Sequence, residues 1–172
     1  MSVINKNKVS NFPHIANLLS SLLLCYPEIA AINLEPRANV VKFSFYIDNV
    51  AKKKLISFKK KIEQSLLAYY KLEKKEVEVC SFSFQPLDVL SLIEFKRDFW
   101  TISQKEIALV IALMREEFGS SLVTEKDDEL VMDDLSLHEE LIDYILENAK
   151  KTSTNIKLVA LRDEGRVLVY NK

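Results

Sequence analysis

The stretch VVKFSFYIDNVAKKKLISFKKKIEQSLLAYY, residues 40 to 70, contains a strand pattern followed at once by a helix pattern. Alternate apolar residues over 40–47 predict a strand with one buried face. From about residue 50 to 72, apolar residues recur every three or four positions, which predicts an amphipathic helix. Its predicted buried residues are Leu55, Phe58, Ile62, Leu66 and Tyr69. The stretch therefore predicts an α+β fold in which this helix packs on a sheet.

Residues 51–61 of the same helix contain six lysines, and their placement raises a question of function. Lys52 and Lys59 flank the apolar stripe, and the four on the opposite side are Lys53, Lys54, Lys60 and Lys61. A row of lysines can displace counterions from a nucleic-acid backbone, but few arginines and no stacking motif accompany it. We interpret the row first as a solvated helix face and keep RNA or DNA binding as an alternative.

Three more helices are predicted from apolar periodicity and end signals. One lies between residues 11 and 26. Another begins at a capping box of Ser103 with Glu106 and ends at Gly119, which suits a left-handed cap. The last begins near residue 136, and its predicted buried residues are Leu137, Leu141, Tyr144 and Ile145.

Strand patterns fill the intervals between the helices. Besides 40–47, they cover residues 29–35, 77–84, 91–100, 156–161 and 166–170, and a short hairpin is predicted at 120–134. The order helix, hairpin, helix, strand therefore occurs twice. It predicts two αββαβ-type, ferredoxin-like halves on a largely antiparallel sheet with packed helices, and it raises the hypothesis of an internal pseudo-repeat.

The charge of the chain divides along the same line. Residues 1–90 contain thirteen basic and eight acidic residues, a net charge of +5, whereas residues 91–172 contain eleven and seventeen, a net charge of −6. We predict a basic α+β half at 1–88 and an acidic α+β half at 89–172. Because no Gly- or Ser-rich linker separates them, they are expected to pack closely or to form one continuous domain. Opposite charges favour association of the halves or of separate copies.

Composition bears on location. Apolar residues make up 48% and charged residues 28%, which is typical of a globular protein. No stretch approaches the roughly 18 apolar residues of a membrane span, and polar residues interrupt the N-terminal leucines, which predicts a helix rather than a signal peptide. Cys25 and Cys80 lie among apolar neighbours without metal-ligand spacing, which predicts buried free thiols. We expect a soluble cytoplasmic protein without membrane contact.

Residue types that support catalysis or cofactor binding are scarce. The two glycines, Gly119 and Gly165, are too few for the phosphate-binding loops of nucleotide enzymes. His14 and His138 have no second ligand at zinc spacing, and the acidic run 125–134 lacks the glycine of a calcium loop. No catalytic residue, metal or cofactor is therefore predicted.

Two charged clusters remain as interaction candidates. KRDFW contains Arg97, Asp98 and Trp100, and RDEGR contains Arg162 and Arg166, although both are also typical of salt-bridged strand ends. The first function hypothesis is a non-enzymatic protein-interaction or regulatory module with a protein partner or self-association. One alternative is RNA or DNA binding through the four lysines. The other is an enzyme or small-ligand binder with a cleft between the halves.

Overall fold

The computed structural model describes residues 2–4, 12–125, 135–151 and 155–172. Within these ranges the chain forms four α-helices: α1 (Phe12–Cys25), α2 (Lys52–Glu73), α3 (Gln104–Phe118) and α4 (Leu135–Lys150). The strands are β1 (Ser2–Ile4), β2 (Ala31–Glu35), β3 (Val40–Asp48), β4 (Cys80–Pro86), β5 (Leu90–Asp98), β6 (Leu158–Asp163) and β7 (Arg166–Asn171). The predicted α+β class is confirmed.

The strands form one sheet in the order β1-β7-β6-β2-β3-β5-β4. The six strands from β7 to β4 are antiparallel to their neighbours, and only β1 joins in parallel, beside β7. The largely antiparallel sheet is therefore confirmed. The short strand β1 was not predicted, because three residues are too few to show an alternating pattern.

The ferredoxin-like halves and the pseudo-repeat are not confirmed. β5 and β6, which were expected in one C-terminal unit, have β2 and β3 between them in the sheet. Strands from residues 1–88 and 89–172 are thus interleaved in the sheet, because element order alone does not choose the partner of a strand. Residues 126–134 of the predicted hairpin lie outside the described residues, and Leu122 before them forms an isolated bridge with Ile47.

The core lies between one face of the sheet and the helices. Alternate residues of β3 are buried on this face, and Phe95 of β5 stacks between two further rings. Its ring centroid lies 6.0 Å from that of Phe43 and 4.5 Å from that of Phe82. On the opposite face, side chains such as Tyr46 and Leu92 remain half-exposed. The sheet therefore has a helix-covered face and an open face.

Two predicted helix faces need correction. On α2 the last buried residue is Tyr70, whereas Tyr69 is only half-buried. On α4 the predicted Leu141 and Tyr144 are 52% and 68% exposed, and the buried residues are Ile142, Leu146 and Ala149. Both sets recur at helical spacing, so periodicity alone does not show which of them faces α1 and α3.

Two further observations concern the cysteines and the helices. Cys25 is buried as predicted, but the prediction was wrong for Cys80, which is exposed because β4 is an edge strand. Among the helices described, none combines the length and apolar character needed to span a lipid bilayer.

Candidate functional site

The lysines predicted as a nucleic-acid surface are exposed on α2: Lys53, Lys54, Lys60 and Lys61. Two of them already contact α3. Lys61 Nζ lies 3.8 Å from carboxylate oxygens of both Glu116 and Glu117, and Lys54 Nζ lies 5.8 Å from the ring centroid of Phe118. The row is therefore partly neutralised by residues of the chain itself.

The cluster around Arg97 divides between the interior and the surface. Trp100 is 58% exposed, and its backbone N–H donates to Asn39 Oδ1 at 3.0 Å. Arg97 and Asp98 are 0% and 1% exposed. Only Trp100 of these three residues is therefore presented to a partner at the surface.

Arg97 is held by a bidentate ion pair. Its Nε and Nη2 donate to the carboxylate of Glu106 at 2.5 and 2.9 Å, and its Nη1 donates to the carbonyl of Val79 at 3.1 Å. The Tyr70 hydroxyl donates to the same carboxylate at 3.0 Å, and its ring lies 5.1 Å from Arg97 Cζ. Burial alone would lower the pKa of Arg97, but the hydrogen bonds and charge of Glu106 raise it. Each nitrogen of the guanidinium therefore has an acceptor within the described residues.

Asp98 is the second acid beside Arg97. Its Oδ1 accepts a bond from Arg97 and from the backbone N–H groups of Glu78 (3.2 Å) and Val79 (3.0 Å), and Thr101 donates to Oδ2. Burial raises the pKa of Asp98, but these hydrogen bonds and the charge of Arg97 outweigh it, so the net pKa is lowered.

We call Tyr70, Arg97, Asp98 and Glu106 the buried arginine cluster. None of its buried nitrogen or oxygen atoms lacks a partner in the described residues. The cluster joins α2, the residues before β4, β5 and α3. It also explains one feature of α3: Ser103 caps Glu106 N–H at 3.2 Å, but the Glu106 carboxylate turns to Arg97 instead of completing the predicted box.

The RDEGR arginines also divide. Arg162 is half-buried, its Nε donates to the carbonyl of Ile29 at 3.1 Å, and its Nη2 donates to the carbonyls of Tyr26 (2.9 Å) and Leu23. Carbonyls at the C-terminal end of a helix lack donors within the helix, and the Arg162 guanidinium supplies donors at the end of α1. Arg166 is exposed at the start of β7.

A groove between α2 and β4 has a volume of about 720 Å³. Its apolar lining includes Leu55, Phe82 and Phe84, and Ile56 at its margin is 60% exposed. Leu55 and Phe82 are buried, so the floor of the groove is part of the hydrophobic core. The exposed apolar surface therefore belongs to a well-packed part of the fold.

Two cations line the same groove. Lys52 and Lys59 are the lysines that flank the apolar stripe of α2, and both project along its margin. The Asn49 side chain donates to the carbonyl of Asp88 at 3.3 Å, which ties the start of α2 to the turn between β4 and β5. The exposed apolar side chains of that turn, Leu87 and Val89, extend the surface beside the groove.

The groove adjoins a free strand edge, because β4 is the last strand of the sheet. Leu87 N–H donates to Leu90 at 2.7 Å, and Asp98 N–H donates to Val79 at 3.1 Å. In an antiparallel pair bonded and non-bonded positions alternate, so the odd-numbered residues of β4 bond to β5. The outward N–H and C=O groups therefore belong to Cys80, Phe82 and Phe84, while Pro86 has no N–H to offer.

The groups available in the groove come from its backbone, its apolar side chains and its lysines. In the part of the chain that the structure describes, no group of three or more His, Cys, Asp or Glu side chains is arranged to hold a metal ion. The groove offers main-chain hydrogen bonds, apolar surface and two ammonium groups. The sequence indicated Lys52 and Lys59 as flanking residues, but the groove itself needs α2 and β4 together and shows no linear motif.

No protein-family model, curated protein or solved structure matches the chain. The function must therefore be inferred from its own residues.

Proposed function

We propose that the protein is a non-enzymatic protein-interaction module that binds an extended, acidic segment of a protein partner in the groove between α2 and β4. The observation that supports this proposal is the free edge of β4 beside an apolar groove lined by Lys52 and Lys59. An extended segment can add to such an edge through main-chain hydrogen bonds.

The geometry of an added strand specifies the segment. Side chains alternate between the two faces of a sheet, so every second residue of the segment would face the groove. Apolar side chains in this row would cover Phe84 and Ile56, and a carboxylate at either end would reach Lys52 or Lys59. The segment is therefore extended, apolar at its centre and acidic at its ends.

The two groove lysines are available for this role. Lys59 Nζ lies 3.9 Å from Glu63, and an exposed pair at this distance contributes little. No carboxylate in the described ranges forms an ion pair with Lys52. Charge complementarity with an acidic segment thus costs the fold little, and it favours fast association with the correct partner.

The structure bears differently on the RNA or DNA alternative and on the predictions of repeat, domains, self-association and location. Lys54 and Lys61 are engaged with α3, which weakens the RNA or DNA alternative. The ferredoxin-like pseudo-repeat, the division at residues 88 and 89, self-association and the cytoplasmic location stay predictions.

The experiment uses a fluorescein-labelled peptide, Glu-Thr-Val-Thr-Val-Thr-Glu, whose valines and glutamates share one strand face. Fluorescence polarisation measures its affinity for the wild type and for the double variant Lys52→Glu/Lys59→Glu. The matched control is Lys53→Glu/Lys60→Glu, which makes the same charge change on the same helix away from the groove. We expect the groove variant to weaken binding by about tenfold or more, and the control to stay within about twofold.

Two outcomes would refute the proposal. Equal losses in both variants would show non-specific attraction by the helix. Unchanged binding of two proline variants of this peptide, one with proline at the first valine and one with proline at the central threonine, would show that no strand is added to β4, because one of these two prolines removes a ladder donor in either strand direction. A labelled single-stranded RNA tests the alternative, which requires the Lys53/Lys60 variant to lose RNA affinity.

A further inference from the structure

The chain itself contains a segment with the composition that the groove requires. Residues 125–134, EKDDELVMDD, include six acidic residues and one lysine, a net charge of −5. Asp128, Leu130, Met132 and Asp134 stand at every second position, in the order acid, apolar, apolar, acid. Because the side chains of an extended chain alternate between two sides, these four would share one side. A strand added to β4 needs this same order of side chains toward the groove.

Two other stretches repeat this order, but the fold already uses them. Residues 88–94 include most of β5, which pairs with β3 on one side and with β4 on the other. In the stretch 133–139, residues 135–139 belong to α4, where backbone groups bond within the helix. The candidate is therefore the segment 128–134, which is identified by its sequence because residues 126–134 lie outside the described residues.

The groove complements this segment at its centre as well as at its ends. Ile56 is 60% exposed and Phe84 is half-buried, so apolar side chains laid over them would remove apolar surface from water. Leu130 and Met132 are such side chains, and the flexible thioether of methionine adapts to an irregular surface. The opposite charges of the segment and of the groove lysines orient the contact.

Glu125, the last described residue before the segment, lies on the β2 and β6 side of the sheet. Its backbone N–H donates to the carbonyl of Pro27 at 3.3 Å, and it lines a recess together with Ala31 of β2 and Leu161 of β6. In the sheet order, β3 and β5 separate β2 from β4. The segment therefore starts on the opposite side of the sheet from the free edge of β4.

The chain is too short to carry the segment from this position to its own groove. A strand added beyond β4 would lie four strand spacings from β2, which is about 19 Å. Asp128 follows Glu125 by three residues, which span at most about 11 Å. A groove that receives the whole segment therefore belongs to another copy of the chain.

We propose that residues 128–134 of one copy add as a strand to β4 of a second copy, with the apolar residues over the lining of the groove and the end carboxylates at Lys52 and Lys59. This inference rests on the proposed function of the groove and names its partner. Each copy carries one segment and one groove, so a reciprocal exchange fills both grooves in a two-fold symmetric dimer, the commonest form of soluble oligomer.

Exchanging the charges of the segment and the groove tests this contact in the full chain. Asp128→Lys/Asp134→Lys makes the segment basic, and Lys52→Glu/Lys59→Glu makes the groove acidic. Sedimentation velocity should show a dimer for the wild type and at least about tenfold weaker association for either variant alone. In an equal mixture of the two variants both contacts are complementary again, so the dimer should return.

Matched controls place the same charge changes on the other sides of the segment and of α2. They are Asp127→Lys/Asp133→Lys and Lys53→Glu/Lys60→Glu. Each should weaken association by no more than about threefold at about 0.15 M salt, where charges more than about 8 Å apart are largely screened. The proposal is overturned if the controls lose as much as the test variants, if the mixture stays monomeric, or if the wild type is a monomer.

A second pair of variants keeps every charge in place and remains decisive if a charge variant does not fold. Leu130→Ser/Met132→Ser removes the two apolar side chains that would face the groove, and it should weaken association by about tenfold or more. Val131→Ser, on the other side of the segment, should change association by no more than about twofold. Equal effects of these two variants would overturn the proposal as well.

The peptide Glu-Thr-Val-Thr-Val-Thr-Glu separates failure of this inference from failure of the proposed function. It is titrated into the Asp128→Lys/Asp134→Lys variant, whose groove residues are unchanged. Peptide binding together with a monomeric wild type overturns the contact between copies and leaves the proposed function standing. A monomeric wild type whose groove also fails to bind the peptide overturns both.

Discussion

Replacing Arg97 by methionine would leave the two oxygens of Glu106 buried with the Tyr70 hydroxyl as their remaining donor in the buried arginine cluster. Asp98 would keep its backbone N–H donors, so the cost falls mainly on Glu106. Removing one partner of a buried ion pair costs about 3–5 kcal/mol. At about 2–4 °C per kcal/mol for a chain of this size, Tm should fall by roughly 6–20 °C.

A double-mutant cycle separates the ion pair from packing. Arg97→Met, Glu106→Met and the double variant are unfolded with urea at pH 7, and the free energy of unfolding is obtained from circular dichroism. Because the double variant removes both partners of the Arg97–Glu106 pair and Asp98 keeps its backbone N–H donors, we expect it to be at least about 2 kcal/mol more stable than the sum of the single losses predicts. Lys96→Met, at an exposed position of β5, should change stability by no more than about 0.5 kcal/mol.

Additive losses in this cycle would refute the reasoning. So would an Arg97→Met variant within about 1 kcal/mol of the wild type, because a Glu106 carboxylate that is 0% exposed cannot lose its cation at so small a cost.

Three further changes test other parts of the fold. The pKa of Asp98 is lowered in the folded state, so the ionised carboxylate stabilises the fold above about pH 4. This stabilisation is lost as the pH falls through the folded-state pKa. Asp98→Asn should therefore reduce stability at pH 7 and flatten the acid limb of the stability profile; an unchanged limb would contradict this. Lys74 caps α2 in the left-handed conformation, at φ 54° and ψ 44°, which glycine adopts more easily than lysine. Lys74→Gly should therefore raise the free energy of unfolding by about 0.5–1 kcal/mol, whereas Lys71→Gly inside the helix should lower it by about 1 kcal/mol. On α4, Ile142→Ala should lower the free energy of unfolding in urea by about 2–4 kcal/mol, and Leu141→Ala should lower it by less than about 0.5 kcal/mol. The reverse order would support the buried face predicted from the sequence.

Local patterns allowed much of the secondary structure to be predicted. The capping serine at residue 103 and Gly119, with φ +50°, set the ends of α3 through contacts within one turn. The alternation in β3 likewise marks its buried face, because four consecutive alternate residues are apolar. These features depend on neighbours in sequence, so the sequence displays them directly.

The sheet order and the sites depend on distant residues. The pairing of β2 with β6 and the contact of Arg97 with Glu106 leave no periodic trace. Arg97 was predicted as an interaction candidate, with a salt-bridged strand end as the other reading, and its ion pairs with Glu106 and Asp98 make its burial tolerable. The groove was missed for the same reason, since it is assembled from separate elements.

The pairing of β2 with β6 also has a consequence during synthesis. The ribosome must complete α2, β4, β5, α3 and α4 before β6 exists to cover that edge of β2. Until then a nascent chain carries an uncovered strand edge in the middle of its future sheet, and such edges promote aggregation. Folding of this protein should therefore be completed late and slowly, as expected for long-range strand pairing, and its yield should depend on the protection of the growing chain.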